Sequence, residues 1–249
     1  MSHLGSQGRQ VVETPELVAV CVPGAPLFYN QIARARFDPA SARRRVAEAL
    51  APFRAAGQRL VWNLPPSSAP DDLGSLIEGE GLRLDPAESR GMAIPTAALR
   101  RPNTAAEMVV EPVSDTESLG RWVSIFAEGF AVPADRRETF VAGVVAQELK
   151  VGIDSAGYRR YLALVGQDAV GVCATFVVER TVGVFRVTTL DRWRRHGIAR
   201  QLVWQALHEA HGCDLAVLRC DDSVMPVYAG LGFRRVCDMP EYVAPPDWS

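Results

Sequence analysis

The stretch VTTLDRWRRHGIAR, Val187 to Arg200, decides how this chain is read. A β-prone run from Val184 to Leu190 ends, and a basic, glycine-containing loop begins. An amphipathic helical pattern follows at once, with Ile198, Leu202, Val203, Ala206, Leu207 and Ala210 on one stripe. Arg194, Gly197 and Ala199 make an Arg-x-x-Gly-x-Ala pattern in the loop, and Arg192, Arg195 and Arg200 add positive charge. A small residue lets backbone approach an anion closely, and free N–H groups at a helix start attract phosphate. Strand, loop and helix together predict a pyrophosphate cradle.

A second pattern lies downstream. Leu215 to Arg219 reads as a short buried strand, and Ser223 to Phe233 as a short helix ending at Gly232, with Tyr228, Leu231, Gly232 and Phe233 in the order Tyr-x-x-Leu-Gly-Phe. With the cradle, this resembles the Gcn5-related N-acetyltransferase (GNAT) superfamily, whose acyl-CoA motif is Arg/Gln-x-x-Gly-x-Gly/Ala. The resemblance covers Glu107 to Val243 and is closest from Val184 to Val236. It implies an α/β fold with a mixed sheet in the C-terminal half.

Composition sets bounds on this reading. Of 249 residues, 48% are hydrophobic and 22% charged, ordinary for a globular protein. A formal net charge of −2 argues against nucleic-acid binding by bulk charge. Five cysteines, an odd number without a Cys-x-x-Cys pair, read as reduced thiols in a cytoplasmic protein, with no metal site expected. No apolar run is long enough for a membrane span. The chain lacks the Gly-x-x-x-x-Gly-Lys-Ser/Thr loop of nucleotide enzymes and the Gly-x-Ser-x-Gly of serine hydrolases.

Along the chain, residues 1–12 read as a disordered start, 13–102 as a smaller N-terminal domain and 103–249 as the GNAT domain. In the first part the patterns predict a strand at Leu17–Cys21, a helical turn at Asn30–Arg36, a helix at Pro39–Phe53, a strand at Arg59–Leu64, and a helix from Asp72 capped by Asp71. Proline-rich Pro86 to Asn103 reads as the linker. In the second part Met108–Val113 reads as a strand, and Ser114 to Glu117 as a capping box opening a helix that buries Leu119, Trp122, Val123 and Phe126. A second helix to Leu149 and a hairpin turning at Gly166-Gln-Asp168 follow. The helix from Asp72 ends in Gly-Leu-Arg83 and the one from Pro226 in Gly-Phe-Arg234. Two readings of this echo stand: a degenerate first copy of the GNAT fold, or a helix-ending glycine repeated by chance.

The resemblance implies roles. The backbone of Val187, Thr188, Thr189 and Leu190 would meet the pantetheine arm of acetyl-CoA. The N–H groups of Arg195, His196, Gly197, Ile198, Ala199 and Arg200 would hold its pyrophosphate, with Arg194 adding charge. Tyr228 is the candidate general acid, since a phenol of pKa ~10 stays protonated. Ser223 would bond the CoA chain or cap a helix. Glu128 is the candidate base, and Arg136 and Arg137 are candidates to hold an acidic acceptor. The implied activity is acetyl transfer from acetyl-CoA to a primary amine of a small molecule by direct attack in a ternary complex, in a monomer or homodimer. The alternative is a non-catalytic CoA-binding or ligand-sequestering protein of the same fold.

Overall fold

The computed structural model describes residues 2–5, 9–87, 89–103, 107–153 and 155–248. The fold is mixed α/β, in two compact units: residues 1–90 with 237–249, and residues 91–236.

The first unit contains β1 (Ser2–Gly5), β2 (Arg9–Glu13), β3 (Val18–Cys21), β4 (Gln31–Ala33), α1 (Ala42–Ala55), β5 (Val61–Asn63), α2 (Leu73–Gly79) and β6 (Arg83–Leu84). After it come β7 (Ser89–Pro95), β8 (Val109–Pro112), α3 (Thr116–Gly129), α4 (Ala134–Val151), β9 (Tyr158–Val165), β10 (Asp168–Val178) and β11 (Thr181–Thr189). The chain closes with α5 (Ile198–His208), β12 (Leu215–Asp221), α6 (Met225–Ala229), β13 (Arg234–Asp238) and β14 (Glu241–Val243).

Two seven-stranded sheets result, in the orders β1-β2-β3-β4-β5-β14-β6 and β8-β9-β10-β11-β12-β7-β13. Position by position they match. In each, the first four strands pair antiparallel and the fourth and fifth pair parallel, β4 with β5 and β11 with β12. In each, a strand from elsewhere in the chain fills the sixth place. The second sheet takes β7, and the first takes β14, which pairs antiparallel with both β5 and β6. The match favours the degenerate-copy reading of the echo over the chance glycine.

The core follows from periodicity. In α1, Val46, Leu50 and Phe53 are fully buried at helical spacing under Ile32, Leu60 and Trp62. In α5, Ile198, Leu202, Val203, Ala206 and Leu207 form the buried stripe. Val170 to Thr175 of β10 is buried at every position, as expected of a central strand covered on both faces.

Several expectations need correction. Arg9–Val12, placed in the disordered start, belongs to β2 (Arg9–Glu13), which pairs with β3. Asn30–Arg36 is not a helical turn. The turn is a short 3₁₀ segment at Leu27–Tyr29, and buried Asn30 follows it, accepting from the Val22 N–H at 2.7 Å. The supposed linker holds β7, because Met92 and Ile94 alternate inward, each 2% exposed, between bracketing prolines. The unit boundaries therefore fall at Arg90 and Val236, where the sequence suggested one boundary at 102. Asp72 rather than Asp71 sits at the N-cap of α2, without a side-chain cap bond. The α3 cap lies one residue past the expected Ser114. Asp115 accepts from the Ser118 N–H at 2.7 Å, and the Ser118 hydroxyl, not Glu117, returns the bond to the Asp115 N–H at 3.1 Å.

Candidate active site

The site begins where two strands part. β11 pairs with β12 from Thr181–Leu215 to Val184–Leu218, and the pairing stops there although β11 runs on to Thr189. On its other edge β11 carries a bulge: Val172 faces Thr188 and Ala174 faces Phe185, so Arg186 and Val187 together oppose Cys173. Arg186 sits in the left-handed region at φ 53°. The carbonyl of Cys173, skipped in that register, accepts the Trp122 indole N–H at 3.0 Å. A bulge here bends β11 away and leaves a strand edge without a partner.

Backbone groups of Val187, Thr188 and Thr189 lie on that edge segment. The hydroxyls of Thr188 and Thr189 are buried with no hydrogen-bond partner. Leu190 is a correction. Its N–H donates to Val170 at 3.0 Å, its carbonyl accepts from Trp193 at 2.8 Å, and its side chain is buried, so its backbone is already engaged.

The loop after β11 makes one 3₁₀ turn at Asp191–Trp193 and then two left-handed residues, Arg195 at φ 68° and Gly197 at φ 81°. Gly197 is the N-cap of α5, and the first bond of the helix runs from the Gln201 N–H to the Gly197 carbonyl at 3.1 Å. Among the described residues, the N–H groups of Arg195 to Arg200 make no backbone hydrogen bond. The cradle therefore offers donors in succession at a helix start. Arg194 is exposed and ion-paired with Asp191 at 2.8 Å. His196 Nδ1 lies 2.9 Å from the Arg194 carbonyl, holding the loop. Ile198 is buried and Ala199 half-buried. Arg200 reaches α6, where a Cβ on Gly230 would lie 3.3 Å from its Nη1.

The end of α3 closes one side of the parted strand. A Cβ on Gly129 would fall 1.9 Å from Cγ2 of Thr188, so only glycine permits this approach. Glu128, the residue before it, is exposed and lies 3.5 Å from Arg192 of the loop. The structure thus brings Glu128 to the cradle, as an open ion pair of small energetic weight.

Tyr228 of α6 is buried at 7% exposure, with Cys220, Leu231 and Phe233 in the same cluster. Burial pushes its phenol well above the ordinary range, and Cys220, Cys173 and Asp221 add to the rise. It stays protonated and can serve as a donor. Ser223 does not cap α6, whose N-cap is Val224; its hydroxyl donates to Asp221. That bond, with burial opposing it, holds the Asp221 carboxyl below its usual range.

Arg136 is exposed beside Asp135 at 3.8 Å, and Arg137 donates to the Val132 carbonyl at 3.2 Å. Sequence reading missed an ionic group behind the bulge. Buried Glu148 of α4 receives Arg160 of β9 at 2.7 Å on one oxygen and Arg186 on the other. Its only sequence signal was a Glu on the inward stripe of α4. Among the described residues there is no His, Cys, Asp and Glu cluster able to hold a metal, and no helix is long and apolar enough to cross a membrane. All five cysteines are free thiols.

Comparison with known proteins places this geometry. A sequence model of the acetyltransferase (GNAT) domain matches residues 116–244, just over half of the chain. A search of curated protein sequences finds no match. Among solved structures, a GCN5-related N-acetyltransferase from Kribbella flavida is similar with a TM-score of 0.73 at 18% identity, over 96% of this chain and 90% of that one. A functionally unknown conserved protein from Staphylococcus epidermidis gives 0.69 at 14% identity, over 96% and 94%. A tandem GNAT protein from the clavulanic acid biosynthesis pathway gives 0.60 at 14% identity, over 94% and 79%. At such identities the likeness is one of fold. The parted strands, the left-handed loop into α5 and the matched domain together make this chain a member of the GNAT acetyltransferase family.

Proposed function

We propose that the second unit transfers an acetyl group from acetyl-CoA to the primary amine of a small molecule, by direct attack in a ternary complex. One observation carries the reading: β11 leaves β12 after Val184, with a bulge at Arg186 on its other edge. Strand edges with unpaired ladder groups are rare in a sheet interior, and an extended amide-bearing chain satisfies them as a strand would.

When bound, acetyl-CoA supplies an acyl thioester. Val187, Thr188 and Thr189 present the backbone groups that align its arm. The N–H groups of Arg195 to Arg200, with the loop arginines, take the pyrophosphate charge. The amine nitrogen forms a bond to the acyl carbon as the carbon–sulfur bond breaks. Tyr228 donates its proton to the departing sulfur, and solvent reprotonates the phenolate, which burial makes strongly basic. Glu128, through water, receives the proton shed by the amine. The first unit has no Arg-x-x-Gly-x-Ala between β4 and α1, so one acetyl-CoA per chain is expected.

Calorimetry with acetyl-CoA, wild type beside Gly197→Glu, tests the site. Binding at one per chain, abolished by a carboxylate in the cradle, supports it, and thiol release with amine acceptors then tests transfer. Binding with no amine acetylated would favour the sequestering alternative, and undiminished binding by the variant would remove the cradle assignment.

A further inference from the structure

Arg200, Gln201 and Trp204 share one side of the first turns of α5, Trp204 standing at i+4 from Arg200 and i+3 from Gln201. The segment that follows β7 runs along this side. Arg101 lies over the Trp204 ring at 5.2 Å, and His208 stacks on the same indole at 5.1 Å, so the guanidinium rests on a fixed surface. Arg101, Pro102, Asn103 and Gln201 wall a cleft of about 400 Å³. Arg100, next in the chain, donates its N–H to the Leu231 carbonyl at 2.9 Å, and its Cγ lies 3.7 Å from where a Cβ on Gly232 would stand. Nη1 of Arg200 lies 3.3 Å from the same point on Gly230. Arginines from two distant segments therefore reach one turn, residues 230–232, beside the cleft.

These cations differ from others around the cradle. Arg192 and Arg194 are met by Glu128 and Asp191. Arg100, Arg101 and Arg200 are exposed, and among the described residues they have no acidic partner. Like charges gathered without a counter-charge repel one another, and an anion that meets them relieves the repulsion. The group stands next to the cradle: the Gln201 N–H bonds the Gly197 carbonyl at 3.1 Å, and four residues of helix rise by about 6 Å. Arg100 and Arg101 lie outside the matched domain, residues 116–244, so no family motif names them.

We propose that this group receives the 3′-phosphate of coenzyme A, with Arg101 as the specificity residue that distinguishes acetyl-CoA from its 3′-dephospho form. The proposal rests on the acetyl-transfer reading above and extends its cofactor site beyond the cradle. Acetyl-CoA carries its charge at two places, the pyrophosphate and the 3′-phosphate, one ribose apart. With the pyrophosphate on the N–H groups of Arg195 to Arg200, a phosphate one ribose away falls within reach of the first turns of α5, where Gln201 and Arg101 wall the cleft. The planar fork of an arginine suits a phosphate, and stacking on Trp204 lowers the entropy lost in ordering it. Arg100 and Arg200 add charge from the side of the 230–232 turn.

Calorimetry with acetyl-CoA and with 3′-dephospho-acetyl-CoA tests this, on the wild type and on Arg101→Gln. The wild type should bind the full cofactor roughly tenfold or more tightly than the dephospho form. In Arg101→Gln the ratio should fall to roughly threefold or less, through weaker binding of acetyl-CoA alone, and Arg101→Lys should keep an intermediate ratio. Equal binding of the two forms by the wild type, or a ratio that survives in Arg101→Gln, would overturn the proposal and leave the acetyl-transfer reading standing. Failure of the wild type to bind either form removes that reading, and this proposal with it. Should the variants not fold, modification of wild-type Arg101 by phenylglyoxal, read by peptide mass spectrometry, decides. Protection by acetyl-CoA and not by the dephospho form sustains the proposal; equal protection, or none, ends it.

Discussion

At the scale of the residue, protonation and close contact decide the chemistry. Tyr228→Phe removes a buried proton donor while keeping the ring against Phe233. The expected result is a fall in kcat of roughly tenfold or more with acetyl-CoA affinity retained, read from steady-state kinetics beside calorimetry. Because burial raises this phenol, no alkaline loss of kcat between about pH 8 and 10 should come from Tyr228. An alkaline limb in that range present in the wild type and absent from Tyr228→Phe would mean that burial does not hold this phenol above its ordinary range. Gly129→Ala drives a methyl group into Thr188 and should cost about 1–3 kcal/mol in urea unfolding. The cradle residues and Tyr228 were legible because short motifs name them. Arg186 was not. A bulge adds one residue to a strand without changing its composition, so no alternation in Val182 to Thr189 announces it.

At the scale of the element, caps and registers were half legible. Ser114-Asp-Thr-Glu117 marked the start of α3 to within a residue, but Asp115 took the cap with Ser118 as its partner. The pattern admits both Ser114 and Asp115, and the carboxylate is the stronger acceptor for a backbone N–H. Its hydrogen bond to the Ser118 N–H holds the Asp115 carboxyl below its usual range. A depressed carboxyl contributes stability above its unfolded pKa and loses it as pH falls through the folded one. Asp115→Ala should therefore lower Tm at neutral pH, and the gap from wild type should close below about pH 4 in a calorimetric pH series. A gap independent of pH would mean that the charge plays no part. β7 escaped notice because its only inward pair, Met92 and Ile94, is too short a run to stand out between prolines.

At the scale of the whole molecule, the sequence carried the second half well and the partition poorly. The order of helices and strands from Val109 to Val236 follows the expected one, since motifs and periodicity agree there. Which sheet receives which strand is set by long-range pairing that local pattern does not encode. A fragment of residues 91–236 keeps β7 from Gly91 on, β13 as far as Val236 and the other five strands of the second sheet whole, whereas residues 103–249 lose β7 and leave a gap between β12 and β13. The first fragment should unfold cooperatively in urea by circular dichroism and the second should not. If both behave alike, β7 is dispensable to that sheet.

The placement of β14 between β5 and β6 has a consequence for how the protein is made. Translation delivers β5 and β6 early, but the strand that separates them leaves the ribosome only once Val243 has been added. Until then the nascent first unit holds two exposed strand edges, a state open to wrong pairing. Ribosome pausing or premature termination before Glu241 would leave a product whose first sheet cannot close, whatever the condition of its second unit.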